Sequence, residues 1–406
     1  MGKKVQEQNF KFLIDTGSQT SWVQAKNCTS CLERNKNKVT RSCEHDTCSN
    51  YAGQHGIPYG IGWVKYFEVY DYFVFEDLQQ GGTLTLKVYM GHVTEVSKEL
   101  QQKTLNGLLG LQPKSNSKNP FILQFKNIGK IDNDQVFSIN FRKQDSSLII
   151  GGIKQNLIPQ NKTIQYIPME DGDLQWKISL QDFKIGNFSI LNETQKLNPK
   201  IPTNLEEPEQ NNNIEKEDQL KAQIDSGTNS IVLEQNLIEY FSEVLNSTKY
   251  NITCLLQVMN QTNYSQLKCK NPDGRIDNFP PLSFTFIDQN DQELVITIPP
   301  KQYVEDKIVD GYQYLTIINF LNKNKNIDLD KQSLSRILSN ELILGQPFLQ
   351  NLYVVFDKEK QSIGFVQLDP QDYQICQTQI IIYILVGFTI MSIGYSAAKS
   401  IIKKIF

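Results

Sequence analysis

Residues 12–18 read FLIDTGS, and residues 222–228 read AQIDSGT. Each is an apolar, strand-forming run into Asp, a hydroxyl residue, Gly and a second hydroxyl residue. Each is followed downstream by an apolar pair and Gly: Leu108-Leu109-Gly110 in the first half and Ile343-Leu344-Gly345 in the second. One Asp–hydroxyl–Gly carries little information, because Asp before Gly is a common turn. Two copies of a two-part signature predict two related lobes that face each other.

If a pseudo-twofold axis relates the lobes, Asp15 and Asp225 meet at the interface. Two carboxyls within hydrogen-bonding distance do not both ionise easily, so one stays protonated and one charged, with a water held between them. The charged member can take a proton from the water, and the neutral member can donate to a carbonyl oxygen. The two titrations belong to the pair, so neither Asp is singled out as the proton holder. Gly17 and Gly227 let the backbone approach the carboxylates and donate N–H bonds. Ser18 and Thr228 can hydrogen-bond the outer carboxylate oxygens, and Thr16 and Ser226 can cross the interface and lock the loops together.

The rest of the chain is compatible with that chemistry. Its 406 residues predict two or three domains and a sizeable core. With 39% hydrophobic and 21% charged residues it is neither disordered nor collagen-like. A formal net charge of −3 argues against a nucleic-acid partner. The three histidines, His45, His55 and His92, speak against a His-rich metal site and a Ser–His–Asp triad. Runs such as Phe10–Ile14, Tyr66–Phe75, Thr83–Tyr89, Val136–Phe141, Ser147–Ile150, Leu282–Ile287, Leu294–Ile298 and Leu352–Phe356 predict a mainly β protein. Gln235–Leu245 and Phe121–Asn127 are the best helix candidates. The Pro-, Asn- and Glu-rich stretch 192–219 reads as an exposed loop.

Four cysteines cluster as Cys28, Cys31, Cys43 and Cys48, two more are Cys254 and Cys269, and Cys376 is left over. The cluster reads either as zinc ligands or as two disulfides in any of three pairings. The sequons at Asn27, Asn161, Asn187, Asn192, Asn246, Asn251, Asn260 and Asn263 favour the disulfides. From Gln379 to Ala398 runs a 20-residue uncharged segment, followed by Lys399, Lys403 and Lys404. It predicts a transmembrane helix with the tail 399–406 in the cytosol and residues 1–375 on the lumenal or outer face. A buried core helix and a GPI-attachment signal are the alternatives. Residues 369–378 form a juxtamembrane linker. No export signal is visible ahead of Phe10, so the true N-terminus is expected to lie upstream of Met1.

The sequence resembles the pepsin-like (A1) aspartic proteases. Asp15–Val23, DTGSQTSWV, is similar to the family's first active-site segment with its downstream Trp, here Trp22. Tyr59-Gly60-Ile61-Gly62 is similar to the Y-G-x-G of the family's flap hairpin. Gly107–Leu111 (GLLGL), Ser147–Ile153, Leu174–Leu180, Asp225–Thr228, Phe279–Phe286 and Ile343–Phe356 resemble further family segments, so the likeness runs from about residue 8 to 368. It implies a bilobal acid-protease fold, with a lobe at 1–170, possessing fewer residues before its Asp than is usual, and a lobe at 171–368. Together with the segment 379–398 it implies a membrane-anchored monomer of the secretory or endolysosomal pathway or cell surface. Asp15 and Asp225 are the implied catalytic pair of an aspartic endopeptidase. Tyr59, Gly60 and Gly62 are the implied flap, folding over an extended polypeptide, with Tyr59 bonded toward Trp22. Cys254–Cys269 resembles the second-lobe disulfide. Cys28–Cys48 falls where a hairpin disulfide occurs, with an extra pair as in nepenthesin-like and plasmepsin-V-like branches. No metal or cofactor is expected, because carboxylates alone activate the water. A catalytically silent binding protein of the same fold and a glycosidase with Asp15 and Asp225 as its carboxylates are the competing readings.

Overall fold

The computed structural model describes residues 11–32, 53–60, 62–77, 82–101, 106–113, 121–127, 135–142, 146–170, 175–189, 220–247, 249–259, 264–320, 341–368 and 381–384. The polar insertion 192–219, the linker 369–378, the tail 399–406 and Cys43, Cys48 and Cys376 lie outside the described residues. So does the apolar run 379–398, apart from Ile381–Ile384.

The described part is mainly β. Strands stand at Phe12–Asp15, Gly62–Asp77, Gly82–Val96, Val136–Asn140, Ser147–Ile150, Leu282–Ile287, Glu293–Ile298 and Leu352–Asp357, matching the predicted runs to within a few residues at most ends. The exceptions are the long hairpin Gly62–Asp77 and Gly82–Val96, whose strands extend well past them. Gln235–Asn246 is a helix that buries Leu237, Ile238, Phe241, Val244 and Leu245, the i, i+3, i+4 spacing of one face.

One arrangement occurs twice. In the first half, Phe12–Asp15 runs parallel to Gly107–Gly110. Trp22–Gln24 lies antiparallel on the other side of Gly107–Gly110 and parallel to Gly82–Val96. In the second half, Leu220–Ile224 runs parallel to Glu341–Leu344. Ile231–Val232 lies antiparallel on its far side and parallel to Tyr312–Phe320. Each apolar–apolar–Gly motif therefore supplies the parallel neighbour of the strand that delivers an Asp. The long-range signature is legible for that reason: both parts belong to one piece of sheet.

A third sheet mixes residues from both halves, in the order Ile381–Ile384, Ser147–Ile150, Val136–Asn140, Leu352–Asp357, Ser362–Gln367, Gln165–Pro168. On it Phe137 stacks on Phe356 with ring centroids 4.7 Å apart. Trp176 meets both rings edge-on, at 5.7 and 5.0 Å. Such edge-to-face geometry suits the ring quadrupoles. The Trp176 indole N–H donates to the Leu111 carbonyl at 2.8 Å, tying the second half to the strand end behind Asp15. One continuous apolar core, from Ile14 through Ile224 to Phe365, underlies the two loops.

The structure differs from the sequence reading at Ile381–Ile384. A membrane helix was expected there, and the four residues instead form a strand parallel to Ser147–Ile150. Ile-Ile-Tyr-Ile is a strong strand former, and the edge of Ser147–Ile150 offers unpaired backbone groups. Among the described residues no helix is long and apolar enough to cross a membrane. Disulfides join Cys254 to Cys269 and Cys28 to Cys31. The first links two residues directly opposite each other on adjacent antiparallel strands. The second resolves one side of the four-cysteine question: Cys28 is bonded within its CxxC, not to Cys48.

Candidate active site

The strands Phe12–Asp15 and Leu220–Ile224 carry their chains to the junction of the two halves, where each turns sharply. Within the turns the Ser18 N–H points back to the Asp15 carbonyl at 3.5 Å, and the Thr228 N–H to the Asp225 carbonyl at 3.3 Å. That curl brings backbone donors onto the carboxylates. Gly17 N–H donates to Asp15 Oδ1 at 2.8 Å, and the Ser18 hydroxyl donates to Asp15 Oδ2. Gly227 N–H donates to Asp225 Oδ1 at 2.8 Å, and Thr228 Oγ1 donates to Asp225 Oδ2 at 2.7 Å. Each carboxylate thus has one oxygen on a main-chain amide and the other on a hydroxyl.

Thr16 and Ser226 exchange hydrogen bonds across the junction. Thr16 N–H donates to Ser226 Oγ at 3.1 Å, and Ser226 N–H donates to Thr16 Oγ1 at 3.0 Å. Their hydroxyls donate onward to the carbonyls of Ile224 and Ile14, at 2.8 and 2.7 Å. All four bonds are buried, where the loss of a partner costs most. This grip fixes one loop against the other, so the spacing of Asp15 and Asp225 follows from the backbone.

The two carboxyls lie within hydrogen-bonding reach of each other. Asp15 is 5% exposed and Asp225 8%. Burial, and after it the charge of Asp225, holds the Asp15 carboxyl well above the usual carboxylate range. Such a pair favours a shared proton.

The hairpin His55–Tyr59 and Gly62–Asp77 lies over this pair, with Tyr59, Gly60 and Gly62 at its turn. The Trp22 indole N–H donates to the Tyr59 hydroxyl at 2.8 Å. The Ser18 hydroxyl is also within bonding reach of Tyr59, so Trp22, Tyr59, Ser18 and Asp15 form one connected row. Enclosure, and then the nearby Asp15 charge, pushes the Tyr59 hydroxyl up, which keeps it protonated. Trp22 is 4% exposed and also packs against Cys28 and Cys31, so it serves core and hairpin together.

Sequence reasoning missed Phe320. It ends the strand Tyr312–Phe320 of the second half. A Cβ built on Gly60 would come 2.6 Å from its ring. The hairpin tip of the first half thus rests on an aromatic edge of the second. No local signal marks Phe320, because the contact joins residues far apart in the chain. Among the described residues no group of His, Cys, Asp and Glu could hold a metal ion.

Comparison with known proteins agrees with this geometry. The family model described as eukaryotic aspartyl protease matches residues 4–368. Plasmepsin IV of Plasmodium falciparum is 26% identical over 372 residues, which cover 88% of this chain and 66% of that protein. Plasmepsin VIII of Plasmodium berghei is 25% identical over 370 residues, covering 89% of this chain and 83% of that protein. The vacuolar aspartic protease of Candida albicans is 23% identical over 371 residues, covering 88% and 71%. The chain therefore spans a little under two thirds of the length of plasmepsin IV. With a family model covering nearly all of residues 1–368 and a fold that delivers one Asp-x-Gly loop from each half to a common junction, this chain belongs to the eukaryotic aspartyl protease family.

Proposed function

We propose that the chain is an aspartic endopeptidase whose catalytic pair is Asp15 and Asp225. The observation that carries this reading is the mutual hydrogen-bonding reach of two buried carboxyls, each held by its own Gly N–H. In the proposed reaction the ionised carboxylate takes a proton from a water, and the water oxygen bonds to the carbon of the peptide carbonyl. The neutral carboxyl gives its proton to the carbonyl oxygen. Collapse of the tetrahedral intermediate breaks the C–N bond: the amine leaves with the proton first taken from water, and one hydroxyl of the diol returns its proton to the other carboxylate, so the pair ends with one proton as it began. The substrate is a polypeptide lying extended between the halves, beneath the hairpin tipped by Gly60. The test is cleavage of a denatured protein at acid pH, with block by a statine-type inhibitor. A folded, full-length protein that cleaves nothing under these conditions overturns the reading.

Tyr59→Phe is expected to lower kcat/KM by about tenfold, since it strips the Trp22 N–H of its acceptor at a cost of about 1–3 kcal/mol. The loosened hairpin raises KM as well as lowering kcat, which steady-state kinetics on a fluorogenic peptide measures.

The uncharged run 379–398 supports attachment to a membrane in the secretory or endolysosomal pathway or at the cell surface. Insertion requires Ile381–Ile384 to leave the edge of Ser147–Ile150. Extraction of the full-length protein from membranes by alkaline carbonate argues against it.

A further inference from the structure

Gln346 follows the strand Glu341–Leu344 and opens the short helix Gln346–Leu349 directly behind the second catalytic loop. Its main-chain N–H donates to the Thr228 carbonyl at 2.8 Å. Its side-chain Nε2 donates to the Ser226 carbonyl at 2.6 Å. The Ser226 carbonyl and the Gly227 N–H are the two ends of one peptide unit, and that N–H donates to Asp225 Oδ1 at 2.8 Å. An amide, a peptide group and a carboxylate therefore stand in one line of hydrogen bonds.

We infer that Gln346 is a positioning residue for Asp225, acting through the Ser226–Gly227 peptide group. Two effects follow. A donor on the carbonyl polarises the peptide and strengthens its N–H as a donor, by about 10–30% per bond in condensed-phase estimates. The same bond also fixes the rotation of the peptide plane. Without it the plane is free to turn and take the Gly227 N–H off the carboxylate. The other polar atoms of Ser226 are already engaged with Thr16 and Ile14, so the carbonyl is the last degree of freedom to be held.

The first half holds a partial counterpart. Gln112 donates its main-chain N–H to the Ser18 carbonyl at 3.1 Å and its side-chain amide to the Gly17 carbonyl. The Gly17 carbonyl, however, shares its peptide unit with the Ser18 N–H, which points to the Asp15 main-chain carbonyl and not to the carboxylate. A side-chain amide thus reaches a carboxylate through one peptide unit only in the second half. The titratable group that faces Asp225 across the junction is Asp15, which is itself joined through Ser18 to Tyr59 on the hairpin. The Gln346 amide adds a donor to that surrounding without adding charge.

The inference deepens the proteolytic reading and rests on it for its kinetic arm. Gln346→Met keeps the length of the side chain and removes its donor. It is expected to lower kcat about fivefold, with KM within about twofold, the size of one weakened bond to a charged group. The acid limb of kcat/KM should move up by about half a pH unit, because the ionised form of the pair loses support. Gln112→Met should leave that limb in place. A second measurement needs no turnover: carbon-13 NMR titration of labelled Asp carboxyls in the folded full-length protein, wild type against Gln346→Met. A displaced midpoint supports the inference even if the wild type cleaves nothing, an outcome that would sink only the proteolytic reading. An unmoved midpoint and acid limb overturn it, including where kcat alone falls. If Gln346→Met does not fold, Gln346→Leu gives the same reading, since it too removes the donor to the Ser226 carbonyl and adds no charge.

Discussion

Asp15→Asn and Asp225→Asn are each expected to lower kcat by at least about 10³-fold, the upper part of the range for losing a positioned acid or base. Substrate binding should change little, since an amide has the shape of a carboxyl. The surroundings tolerate the exchange. In Asp15→Asn the amide oxygen can keep the Gly17 N–H, and the amide nitrogen can face the Ser18 hydroxyl, which turns round to accept. At Asp225 the Gly227 N–H and the Thr228 hydroxyl allow the same reversal. Loss of activity is therefore not loss of fold, and the melting curve separates the two.

The same substitution has a stability signature with a definite sign. The folded Asp15 carboxyl titrates well above its ordinary value, because burial and then the Asp225 charge oppose its ionisation. In the unfolded chain it titrates near its reference value of about 3.9. Between those two values the folded protein holds a proton that the unfolded chain has released. Stability is then greatest at the acid end of that window and falls as pH rises through it. Asp15→Asn has no such proton to lose. Its melting temperature should lie near that of the wild type at pH about 4 and above it at pH about 7, by about 2–4 °C for each kcal/mol of relieved strain. A difference of opposite sign, or an Asn variant that cleaves at the wild-type rate, would remove the pair from the mechanism.

How much of this was legible depends on whether the information was local. The two Asp–hydroxyl–Gly loops were, because each is a short turn whose residue types are set by its own backbone. The pairing of each loop with a distant Leu-Leu-Gly or Ile-Leu-Gly was also legible, but only through repetition. A single parallel neighbour, 95 residues from Asp15 at Gly110, would have looked accidental. Contacts that require three-dimensional register were not legible. Gln112 and Gln346 look like ordinary polar residues beside a proline, and nothing in their spacing tells which carbonyl their amides reach. Phe320 against Gly60 is the same kind of contact across the cleft. The apolar run after 378 was ambiguous for another reason: an isoleucine-rich segment satisfies both the length rule for a membrane helix and the composition rule for a strand. Periodicity cannot choose between them when nearly every position is uncharged and most are apolar. The four-cysteine cluster had three pairings of equal standing on sequence, and the bond between Cys28 and Cys31 came only from the fold.

Gly17→Ala and Gly227→Ala should come close to the Asn variants in effect, although neither touches a titrating atom. The two glycines face each other's carboxylates across the junction. A Cβ on Gly17 would stand 2.6 Å from Asp225 Cγ, and one on Gly227 would stand 2.4 Å from Asp15 Cγ. Ordinary carbon contacts start near 3.5 Å, so about 1 Å has to be found. It cannot come from the backbone without breaking the Thr16–Ser226 exchange, which locks both loops from beneath. It has to come from the opposite carboxylate, which is pushed away from its partner and off its own Gly N–H. A displacement of about 1 Å at a reacting group costs about 10²-fold in rate, so kcat should fall by at least that much in each variant. Crossing is the diagnostic feature: Gly17→Ala should disturb the carboxyl of Asp225 more than that of Asp15, and Gly227→Ala the reverse. Carbon-13 shifts of the two carboxyls in each variant measure this directly. The double variant should lose little more than either single one, because once the pair is separated there is no second pair to separate. Independent, additive losses would mean that the two carboxyls do not work as a unit.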